Sequence, residues 1–462
     1  MSSQMQSGTS VEMTDSTVQP VGLNVAIVGS GPAGCYTAQF LKRALPTCDI
    51  TVFERLPVPY GLIRYGVAPD HQGTKAVTKQ FDRLFQSDGV RFAGNVSVGD
   101  HVSLDVLREK FDVVVLATGL YGDRGLEIPG STLPGVISSG QLTRSFNRHP
   151  DEDPSELSLG ENLIVLGHGN VAIDIVRLVT APQALLAGSD VDDEALAFQA
   201  GRLQRVDVVG RSSAQDAKFD SVMIRELAGR PGIRFRSEGL NEDHETTDRT
   251  AAARVAALRD LADSTVGEAL VDVTFHFGLI PEAVLGTDSV EGLRCISTLE
   301  GGQPQVFAAD AIVTAIGFCE RGDEAIQRAE LVGADTDLDV GILDQGLFCV
   351  GWLRRGPRGT IPDSRADARL VVDTIIRNLE VTPLKSDKGG YSSLAGAVRD
   401  RAISFEQWLR IDRVERDNAA TDRMRNKLVD FSHMRQVASG SSTVTEEAPT
   451  PPAAAAALPT AN

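Results

Sequence analysis

The sequence predicts an α/β protein made of two Rossmann-like domains, each with three layers of secondary structure. Two glycine-rich segments lead to this prediction, GSGPAG at 29–34 and GHGNVA at 167–172. Each follows a short apolar run and opens a stretch with helical spacing, which indicates a strand, a tight turn and a helix. A continuous apolar run, FDVVVLAT at 111–118, is typical of a strand buried on both faces of a parallel sheet.

The length and composition of the chain fit this fold and exclude several kinds of partner. A chain of 462 residues is too long for one hydrophobic core, so we expect two or three domains. Its 44 glycines fit many tight turns between strands and helices. The formal net charge of −18 argues against general binding to nucleic acid or to an anionic membrane, although a local basic patch could still meet an acidic protein.

The cysteine spacing and the lack of long apolar runs limit the chemistry and the location. The five cysteines form no C-x-x-C or C-x4-C pair, so disulfide exchange, zinc ribbons and cysteine-ligated iron–sulfur clusters lack their ligand spacing. We therefore expect free thiols in a reducing compartment and no bound metal. No run of about 18 apolar residues is present to span a membrane. Residues 1–20 resemble neither a secretory signal nor a transit peptide, and we expect a cytoplasmic protein.

The apolar pattern assigns the elements in order. In the first unit it predicts a strand at 24–29, a helix at 33–44, a strand at 49–54, a helix at 74–86 and a strand at 111–118. In the second unit it predicts a strand at 162–167, a helix at 171–180 and strands at 205–210 and 310–316. A last strand at 346–351 leads through an unusual loop at 352–361 into a helix at 366–379. Residues 1–20 and 439–462 are predicted to be a disordered leader and a disordered tail.

The first glycine-rich segment is predicted to bind the diphosphate of a dinucleotide. Gly29 makes the tight turn, Gly31 lets the backbone approach the diphosphate, and Gly34 lets the helix pack against the strand. Glu54 ends the second strand, where an acid accepts the ribose hydroxyls. FAD fits this unit better than NAD, because the late strand that closes at Gly351 returns backbone to the flavin of this longer cofactor.

The second segment is predicted to bind NADPH. Gly167 and Gly169 keep the turn, and an alanine in place of the third glycine still permits close packing of the helix. The following strand is succeeded by Arg211 rather than by an acid, and a cation there suits the 2′-phosphate of NADPH. His168 lies inside the loop without a neighbouring set of metal ligands, so we expect it beside the cofactor.

Seven segments together resemble the adrenodoxin reductase type of ferredoxin–NADP reductase. They are VAIVGSGPAGCYTAQFL (25–41), PVPYGLIRYGVAPDH (57–71), GNVSVG (94–99), IPGSTLPGV (128–136), LGHGNVAIDIVRLV (166–179), VVGR (208–211) and GWLRRGPRGTI (351–361). The resemblance runs from about residue 22 to 437, and PYGLIRYGVAPDH and GWLRRGPRG are specific to this family. It implies a discontinuous FAD-binding domain, 21–124 and 338–438, with an NADP-binding domain, 125–337, inserted between its parts.

The resemblance also implies the residues that contact each cofactor. For FAD these are Ala33, Glu54, Leu62, Val98, Trp352, Gly359, Thr360 and Ile361. For NADPH these are Arg124, His168, Gly169, Asn170, Val171 and Arg211. His71 matches a histidine near the nicotinamide, and Glu226 matches a glutamate paired with it. Such a pair can orient the carboxamide without donating a proton in the hydride step.

The match departs from the family pattern at three positions. Ser212 stands where the family usually has a second arginine after VVGR, and Met223 stands where a glutamate is common. The missing arginine removes a charge-assisted contact with the 2′-phosphate, so NADH stays possible as a donor beside NADPH. Arg358 replaces the usual threonine before Gly359, a change that can alter access to the flavin edge.

The resemblance implies a monomeric ferredoxin–NADP(+) reductase, which moves a hydride from NADPH to N5 of FAD and passes single electrons to a ferredoxin-type iron–sulfur protein. Three alternatives stay open. A disulfide reductase would need the cysteine pair that this chain lacks, and an electron-input subunit of a larger enzyme would be expected to carry a cysteine-rich cluster segment. A non-catalytic, nucleotide-gated interaction protein would keep the fold, and a yellow colour that NADPH fails to bleach would identify it.

Two clusters of arginines are candidates for a docking surface, because ferredoxins are usually acidic. They are Arg354, Arg355 and Arg358 in the predicted flavin loop, and Arg225, Arg230, Arg234 and Arg236 after the second unit. Ordinary solvated arginines are the alternative interpretation.

Overall fold

The computed structural model describes residues 22–199, 202–240, 247–262, 264–298, 302–322, 325–381 and 387–441. The predicted leader at 1–20 lies outside the described residues, as does the predicted tail from residue 442 onward. Residues 439–441 complete the last helix and its C-cap. Within the described ranges no helix combines the length and the apolar character that crossing a bilayer requires.

The described residues alternate strands and helices. The strands in chain order are β1 (Asn24–Val28), β2 (Asp49–Phe53), β3 (Arg91–Ala93), β4 (Val113–Leu116), β5 (Gly122–Asp123), β6 (Val136–Ser138), β7 (Asn162–Leu166), β8 (Arg205–Gly210), β9 (Pro231–Glu238), β10 (Val266–Phe277), β11 (Leu279–Leu285), β12 (Gly292–Ser297), β13 (Gln305–Ala308), β14 (Ala311–Thr314), β15 (Phe318–Cys319), β16 (Ile342–Asp344) and β17 (Leu347–Cys349). The helices in chain order are α1 (Pro32–Ala44), α2 (Leu62–Tyr65), α3 (Gln72–Lys75), α4 (Thr78–Gln86), α5 (Leu104–Lys110), α6 (Ser139–Phe146), α7 (Asn170–Val179), α8 (Asp193–Gln199), α9 (Ser221–Leu227), α10 (Arg249–Ala262), α11 (Arg328–Leu331), α12 (Trp352–Arg355), α13 (Ile361–Val381), α14 (Gly396–Arg401), α15 (Phe405–Asp417) and α16 (Phe431–Ser439).

The first sheet has the strand order β16-β17-β4-β1-β2-β3. Its strands pair in parallel except at the edge, where β16 runs antiparallel to β17. Val25 and Ile27 of β1 are buried in a core with α1 and α13, whereas Ala26 and Val28 are buried on the opposite face with α5 and α14. The sheet is therefore the middle of three layers, and its strands come from both ends of the described chain.

The second sheet has the strand order β6-β14-β7-β8-β10-β9, and all of its strands are parallel. On one face Val165 and Val208 pack against α7 and α10. On the other face Ile164 and Val209 pack against the antiparallel sheet β11-β12-β13. All strands of the second sheet lie between β4 and β17 in the chain, so the second three-layer unit is inserted into the first.

The predicted α/β fold with two Rossmann-like, three-layer units is confirmed, and the strands and helices predicted around both glycine-rich segments are present within a few residues of their predicted ends. The helix predicted at 74–86 is instead two helices, α3 and α4. The interruption follows Lys75, whose ammonium group enters a buried cluster. The antiparallel sheet was not predicted, because its short strands mix buried and exposed residues and form no continuous apolar run.

Two sets of contacts join the two sheets. β5 pairs with β15 through Gly122 opposite Cys319. A buried cluster supplies the second set of contacts, in which Asp190 Oδ1 is 2.8 Å from Lys75 Nζ and its Oδ2 is 2.9 Å from Lys427 Nζ. Asn147 Oδ1 accepts a further hydrogen bond from Lys75 at 2.6 Å. Lys75 and Lys427, which lie beside elements of the first unit, are thus bound to Asp190 of the second unit.

Candidate functional site

The turn that joins β1 to α1, which we call the first glycine turn (residues 29–34), has the geometry of a diphosphate cradle. Gly29 has a φ of 108°, and a Cβ there would lie 2.4 Å from the carbonyl oxygen of Ala117. A Cβ at Gly34 would lie 2.0 Å from the carbonyl oxygen of Gly29, so only glycine lets α1 pack this closely. A Cβ at Gly31 would meet no described atom within 4 Å, so an anion can approach the N–H groups that open α1.

The turn that joins β7 to α7, the second glycine turn (residues 167–172), repeats this geometry. Gly167 has a φ of 125°, and a Cβ there would lie 2.3 Å from the carbonyl oxygen of Ala315. A Cβ at Gly169 would again meet none of the described atoms within 4 Å. Ala172 is fully buried at the third glycine position, and Val171 is half-buried in the first turn of α7. The residues at both turns therefore fit the approach of a diphosphate.

The carboxylate of Glu54 supports the first glycine turn from the end of β2. Its Oε2 accepts hydrogen bonds from the backbone N–H of Ser30 at 3.1 Å and from the Ser30 hydroxyl at 2.6 Å. Its Oε1 accepts a hydrogen bond from the N–H of Leu56 at 3.1 Å. Glu54 thus holds the turn in place, and its contact with a ribose stays a prediction.

The residues predicted to contact NADPH lie around the second glycine turn. His168 is buried, and burial lowers the pKa of its imidazole to about 4, so the ring is neutral at pH 7. Its Nε2 lies 3.3 Å from the carbonyl oxygen of Val208. Asn170 exchanges two hydrogen bonds with Asp220, both at 2.8 Å, which fix the loop after β8 against the turn. Arg211 opens that loop with an exposed side chain.

The loop after β17 returns to the first glycine turn. A Cβ at Gly351 would lie only 2.7 Å from the Cβ of Ala33, so the two backbones are in close contact. Trp352 follows and stacks on Phe318 of β15, with 5.3 Å between the ring centroids. The loop therefore brings the predicted flavin residues next to the predicted FAD diphosphate site.

The backbone after this tryptophan is shaped by a glycine and a capping carboxylate. Gly359 has a φ of 86°, a left-handed conformation that favours glycine. Asp363 Oδ2 accepts hydrogen bonds from the N–H of Thr360 at 2.6 Å and from its hydroxyl at 2.9 Å. Ile361 then begins α13, five residues earlier than the sequence pattern predicts, and the Asp363 carboxylate ties the residue before the helix to its first turn.

Three further predicted cofactor contacts lie at separate places in the first unit: Leu62, Val98 and Arg124. Leu62 begins α2 directly after Gly61, where a Cβ would lie 3.3 Å from the Cα of Gly31 in the first glycine turn. Val98 is buried in the segment after β3. Arg124 follows β5, and its side chain is exposed. Of the three, Leu62 therefore lies close to the first glycine turn.

His71 and Glu226 come together across the two units. His71 directly precedes α3, and its Nε2 lies 3.5 Å from Oε2 of Glu226 in α9. Its Nδ1 lies 3.8 Å from Oδ1 of Asp174 in α7. The side chain of His71 is 26% exposed, so the ring faces carboxylates through both nitrogens and still reaches solvent. The structure thus places the predicted pair in contact, and the catalytic role of each residue stays a prediction.

Asp70, Asp174 and Arg177 join this pair, although the glycine motifs and the charge pattern do not point to them. Arg177 binds Asp70 through two hydrogen bonds, from Nε at 2.8 Å and from Nη2 at 2.9 Å. Burial of Asp70 opposes its charge, but the two bonds from Arg177 lower the pKa of its carboxyl below the usual range. The available signal is that Asp174 and Arg177 are charged residues three apart on an otherwise apolar helix.

The arginines considered for docking divide into bound and exposed groups. Arg354 is bound to Asp367 and also donates to two backbone carbonyls. Arg234 and Arg236 are exposed on the same face of the edge strand β9, and Arg234 Nε lies 2.8 Å from Asp272 Oδ1. The remaining members are Arg225 and Arg358, which are exposed, and Arg230 and Arg355, which are half-buried. The flavin-loop cluster therefore presents Arg358 to solvent, while β9 presents two cations side by side.

The cysteine thiols and the possible metal ligands among the described residues bear on disulfide and metal chemistry. All five cysteines are free, and four of them are buried. Burial raises the pKa of the Cys48 and Cys349 thiols to about 11, which keeps them protonated at pH 7. No group of three or more His, Cys, Asp or Glu side chains is placed to hold a metal ion in the part of the chain that the structure describes.

Several known proteins resemble this chain over most of its length. The profile of the pyridine nucleotide-disulphide oxidoreductase family matches residues 23–238. Cindoxin reductase of Citrobacter braakii is 45% identical over 413 residues, which cover 89% of this chain and 90% of that protein. NADPH-ferredoxin reductase FprA of Mycobacterium tuberculosis is 33% identical over 383 residues, which cover 77% of this chain and 84% of that protein.

A solved structure shares the whole fold. It is that of Mycobacterium tuberculosis FprA in complex with NADPH, which matches with a TM-score of 0.81 and 30% sequence identity. The match covers 91% of this chain and all of that chain. The two sheets, the two glycine turns and the relatives agree, and the chain belongs to the adrenodoxin reductase-type family of ferredoxin–NADP reductases.

Proposed function

We propose that the protein is an FAD-dependent ferredoxin–NADP(+) reductase, which takes a hydride from NADPH and passes single electrons to a ferredoxin-type iron–sulfur protein. The observation that carries the proposal is the contact between His71 Nε2 and Glu226 Oε2 at 3.5 Å. It joins a residue of the first unit to a residue of the second, so the two dinucleotide-binding units are in contact at this pair. Two dinucleotides that meet face to face are the requirement for hydride transfer between them.

The residues of the first unit would hold FAD. The N–H groups that open α1 would take its diphosphate, since the backbone is open at Gly31 and the helix N-terminus favours an anion. Glu54 would accept the ribose hydroxyls, and Trp352 with the backbone of 359–361 would lie along the flavin. When bound, FAD supplies a two-electron acceptor that can also release electrons one at a time.

The residues of the second unit would hold NADPH. Asn170 and Val171 at the start of α7 would take the diphosphate, with Arg124 directly after β5 as a further cation. Arg211 would bind the 2′-phosphate from its exposed position after β8. Ser212 offers only a hydroxyl where a second guanidinium would make charge-assisted hydrogen bonds, so we propose a modest preference for NADPH over NADH.

His71 and Glu226 would orient the nicotinamide. An amide group needs a donor for its carbonyl oxygen and an acceptor for its N–H groups, and an imidazole beside a carboxylate offers both. Holding the carboxamide in this way fixes the face of the ring that transfers hydride, and no proton has to move in that step. The two residues would thus contact the nicotinamide and set its orientation.

The electron acceptor would be a small iron–sulfur protein. The relatives are named as reductases of cindoxin, ferredoxin and adrenodoxin, which supports an acceptor of this class. Arg234 and Arg236 on β9 provide adjacent exposed cations on a chain with a net charge of −18, so they are the docking residues that we propose. Reversing both charges should slow ferredoxin reduction at low salt and leave reduction of a small artificial acceptor unchanged. Equal loss with both acceptors would exclude this docking surface.

Anaerobic mixing of the purified protein with NADPH tests the main proposal. The yellow protein should bleach, faster with NADPH than with NADH, and adding a ferredoxin should return the colour. A colourless protein, or a yellow one that stays yellow, would support the non-catalytic alternative. Bleaching without electron transfer to any ferredoxin would support an input subunit of a larger enzyme. We also propose a cytoplasmic monomer, which light scattering and cell fractionation test.

A further inference from the structure

Arg177 is almost fully buried, yet its guanidinium faces every carboxylate that surrounds His71. Its side chain is 2% exposed. Nε and Nη2 hold Asp70 at 2.8 and 2.9 Å, in the two-bond geometry that fixes a carboxylate in one plane. Nη1 lies 2.7 Å from Asp174 Oδ1 and 3.4 Å from Glu226 Oε2. One cation therefore connects three acids that come from separate segments of the chain.

The same three acids determine where the His71 ring lies. Asp70 precedes His71 in the chain, so the two bonds from Arg177 fix the backbone that carries the ring. Asp174 and Glu226 flank the ring at its Nδ1 and Nε2. Since Arg177 lies on α7, directly behind the second glycine turn, it connects the His71 loop of the first unit to the NADPH half of the site.

The charges around this point need such a cation. Burial raises the pKa of the Asp174 carboxyl, and Arg177 and His71 oppose that rise. Asp174 Oδ1 lies 2.7 Å from Arg177 Nη1 and 3.8 Å from His71 Nδ1, so the same oxygen faces both side chains. A second cation, Arg230 in the loop between α9 and β9, donates to the backbone carbonyls of Glu226 and Arg177 at 3.3 Å each and closes the cluster on that side.

We propose that Arg177 is the positioning residue of the His71–Glu226 pair. This inference rests on the proposed function. The guanidinium sets the distance and the orientation of the His71 ring toward the nicotinamide, and it does so from a buried position without contacting either cofactor. The hydride step from NADPH then depends on the planar, two-bonded geometry of arginine, which a lysine at 177 cannot reproduce.

Flavin reduction in Arg177→Lys tests the proposal, because lysine keeps the charge and loses the fork. The rate constant at saturating NADPH should fall by about 10- to 100-fold, the usual cost of a misplaced reacting group. FAD content and reoxidation by ferredoxin should stay unchanged. Arg423→Lys is the matched control, since Arg423 is also 2% exposed and bound to two carboxylates, Asp193 and Asp422, but does not touch His71. A loss in Arg423→Lys as large as that in Arg177→Lys would overturn the proposal.

A double variant separates positioning from general damage. If Arg177 acts through His71, then His71→Gln with Arg177→Lys should be no slower than His71→Gln alone. Multiplying losses would show that Arg177 acts independently of the ring and would refute the inference. Asp70→Asn supplies a second variant, which keeps the size of the side chain but puts an amide NH2 where one oxygen accepted a hydrogen bond from Arg177; it should slow the same step.

A crystal structure of Arg177→Lys measures the position of the ring without relying on turnover. We expect the distance from His71 Nε2 to Glu226 Oε2 to differ clearly from 3.5 Å, and an unmoved ring would overturn the proposal. If the parent protein is not reduced by NADPH at all, the proposed function fails. In that case the position of the His71 ring in the crystal structure of Arg177→Lys still decides whether Arg177 positions His71.

Discussion

Asp190→Asn should destabilise the protein strongly, because Asp190 is the one acid in contact with two buried ammonium groups in the described structure. Lys75 Nζ lies 2.8 Å from Oδ1 and Lys427 Nζ lies 2.9 Å from Oδ2. The side chains of the three residues are 4% exposed for Asp190, 8% for Lys75 and 1% for Lys427. Asparagine keeps the shape but removes the charge, so two cations would share an amide oxygen in a site closed to water.

The magnitude follows from the excess positive charge. Removing one partner of a buried ion pair costs about 3–5 kcal/mol in the free energy of unfolding, and here one acid serves two lysines. Lys427→Met should cost much less, because the remaining pair of Asp190 and Lys75 is neutral. Burial and the neighbouring Lys75 lower the pKa of Lys427 well below its usual value, whereas Asp190 opposes that shift, so Asp190→Asn also removes the charge that favours the protonated Lys427.

Urea unfolding of the FAD-loaded protein, followed by flavin and far-UV signals, measures both variants. Asp193→Asn is the control, because Asp193 also binds a buried cation, Arg423 at 2.7 Å, but its own side chain is 54% exposed. A pair that solvent reaches is worth about 0–1 kcal/mol. The reasoning is wrong if Asp190→Asn costs no more than Asp193→Asn, or if Lys427→Met costs as much as Asp190→Asn.

Three further predictions follow from single positions. Burial opposes the charge of Asp190, but its two lysines lower the pKa of the carboxyl below the usual range. The contribution of Asp190 to stability is therefore complete above the unfolded pKa of about 4 and is lost as the pH falls toward the lower pKa of the folded state. Urea unfolding midpoints measured between about pH 3 and 6, in steps of about 0.5 pH unit, check this. Gly34→Ala should abolish FAD retention, because the new Cβ would lie 2.0 Å from the Gly29 carbonyl oxygen; the ratio of flavin to protein absorbance measures it, with Gly73→Ala at an open position as control. Ser212→Arg should raise the ratio of kcat/KM for NADPH over NADH by about tenfold through one charge-assisted bond, and an unchanged ratio would remove this loop from the 2′-phosphate site.

The sequence predicts local geometry here better than it predicts long-range contacts. Both glycine turns are visible in the sequence because each places a strand, a turn and a helix within a few residues, and the structure confirms them. Lys75 and Arg177 show the limit. Asp190, the partner of Lys75, and Asp70 and Glu226, two of the partners of Arg177, lie far away in the chain. Only the fold brings acids to them, and no periodicity in the sequence records such a meeting.

The contact of His71 with Glu226 is a long-range contact that the sequence predicts only indirectly. Neither residue stands in a spacing pattern, and only the resemblance to a family points to the pair. The structure gives the physical reason why the pair needs distant support: at 3.5 Å the two side chains are near each other but are not joined by a short hydrogen bond. Their relative position must therefore come from what holds each segment, and Arg177 is the side chain that contacts both segments.

The two glycine turns share one geometry, so their ligands must be distinguished by what surrounds them. At the first turn Glu54 directly follows β2 and places a negative charge beside Ser30, which favours ribose hydroxyls and disfavours a phosphate there. At the second turn β8 ends in Gly210 and is followed by Arg211, so the same place carries a positive charge. His168 fills the space against Gly210, where a Cβ would lie 2.6 Å from its Nδ1, and as a buried neutral ring it does not alter that charge. Opposite charges at equivalent strand ends are therefore the physical basis on which we propose FAD for the first unit and NADPH for the second.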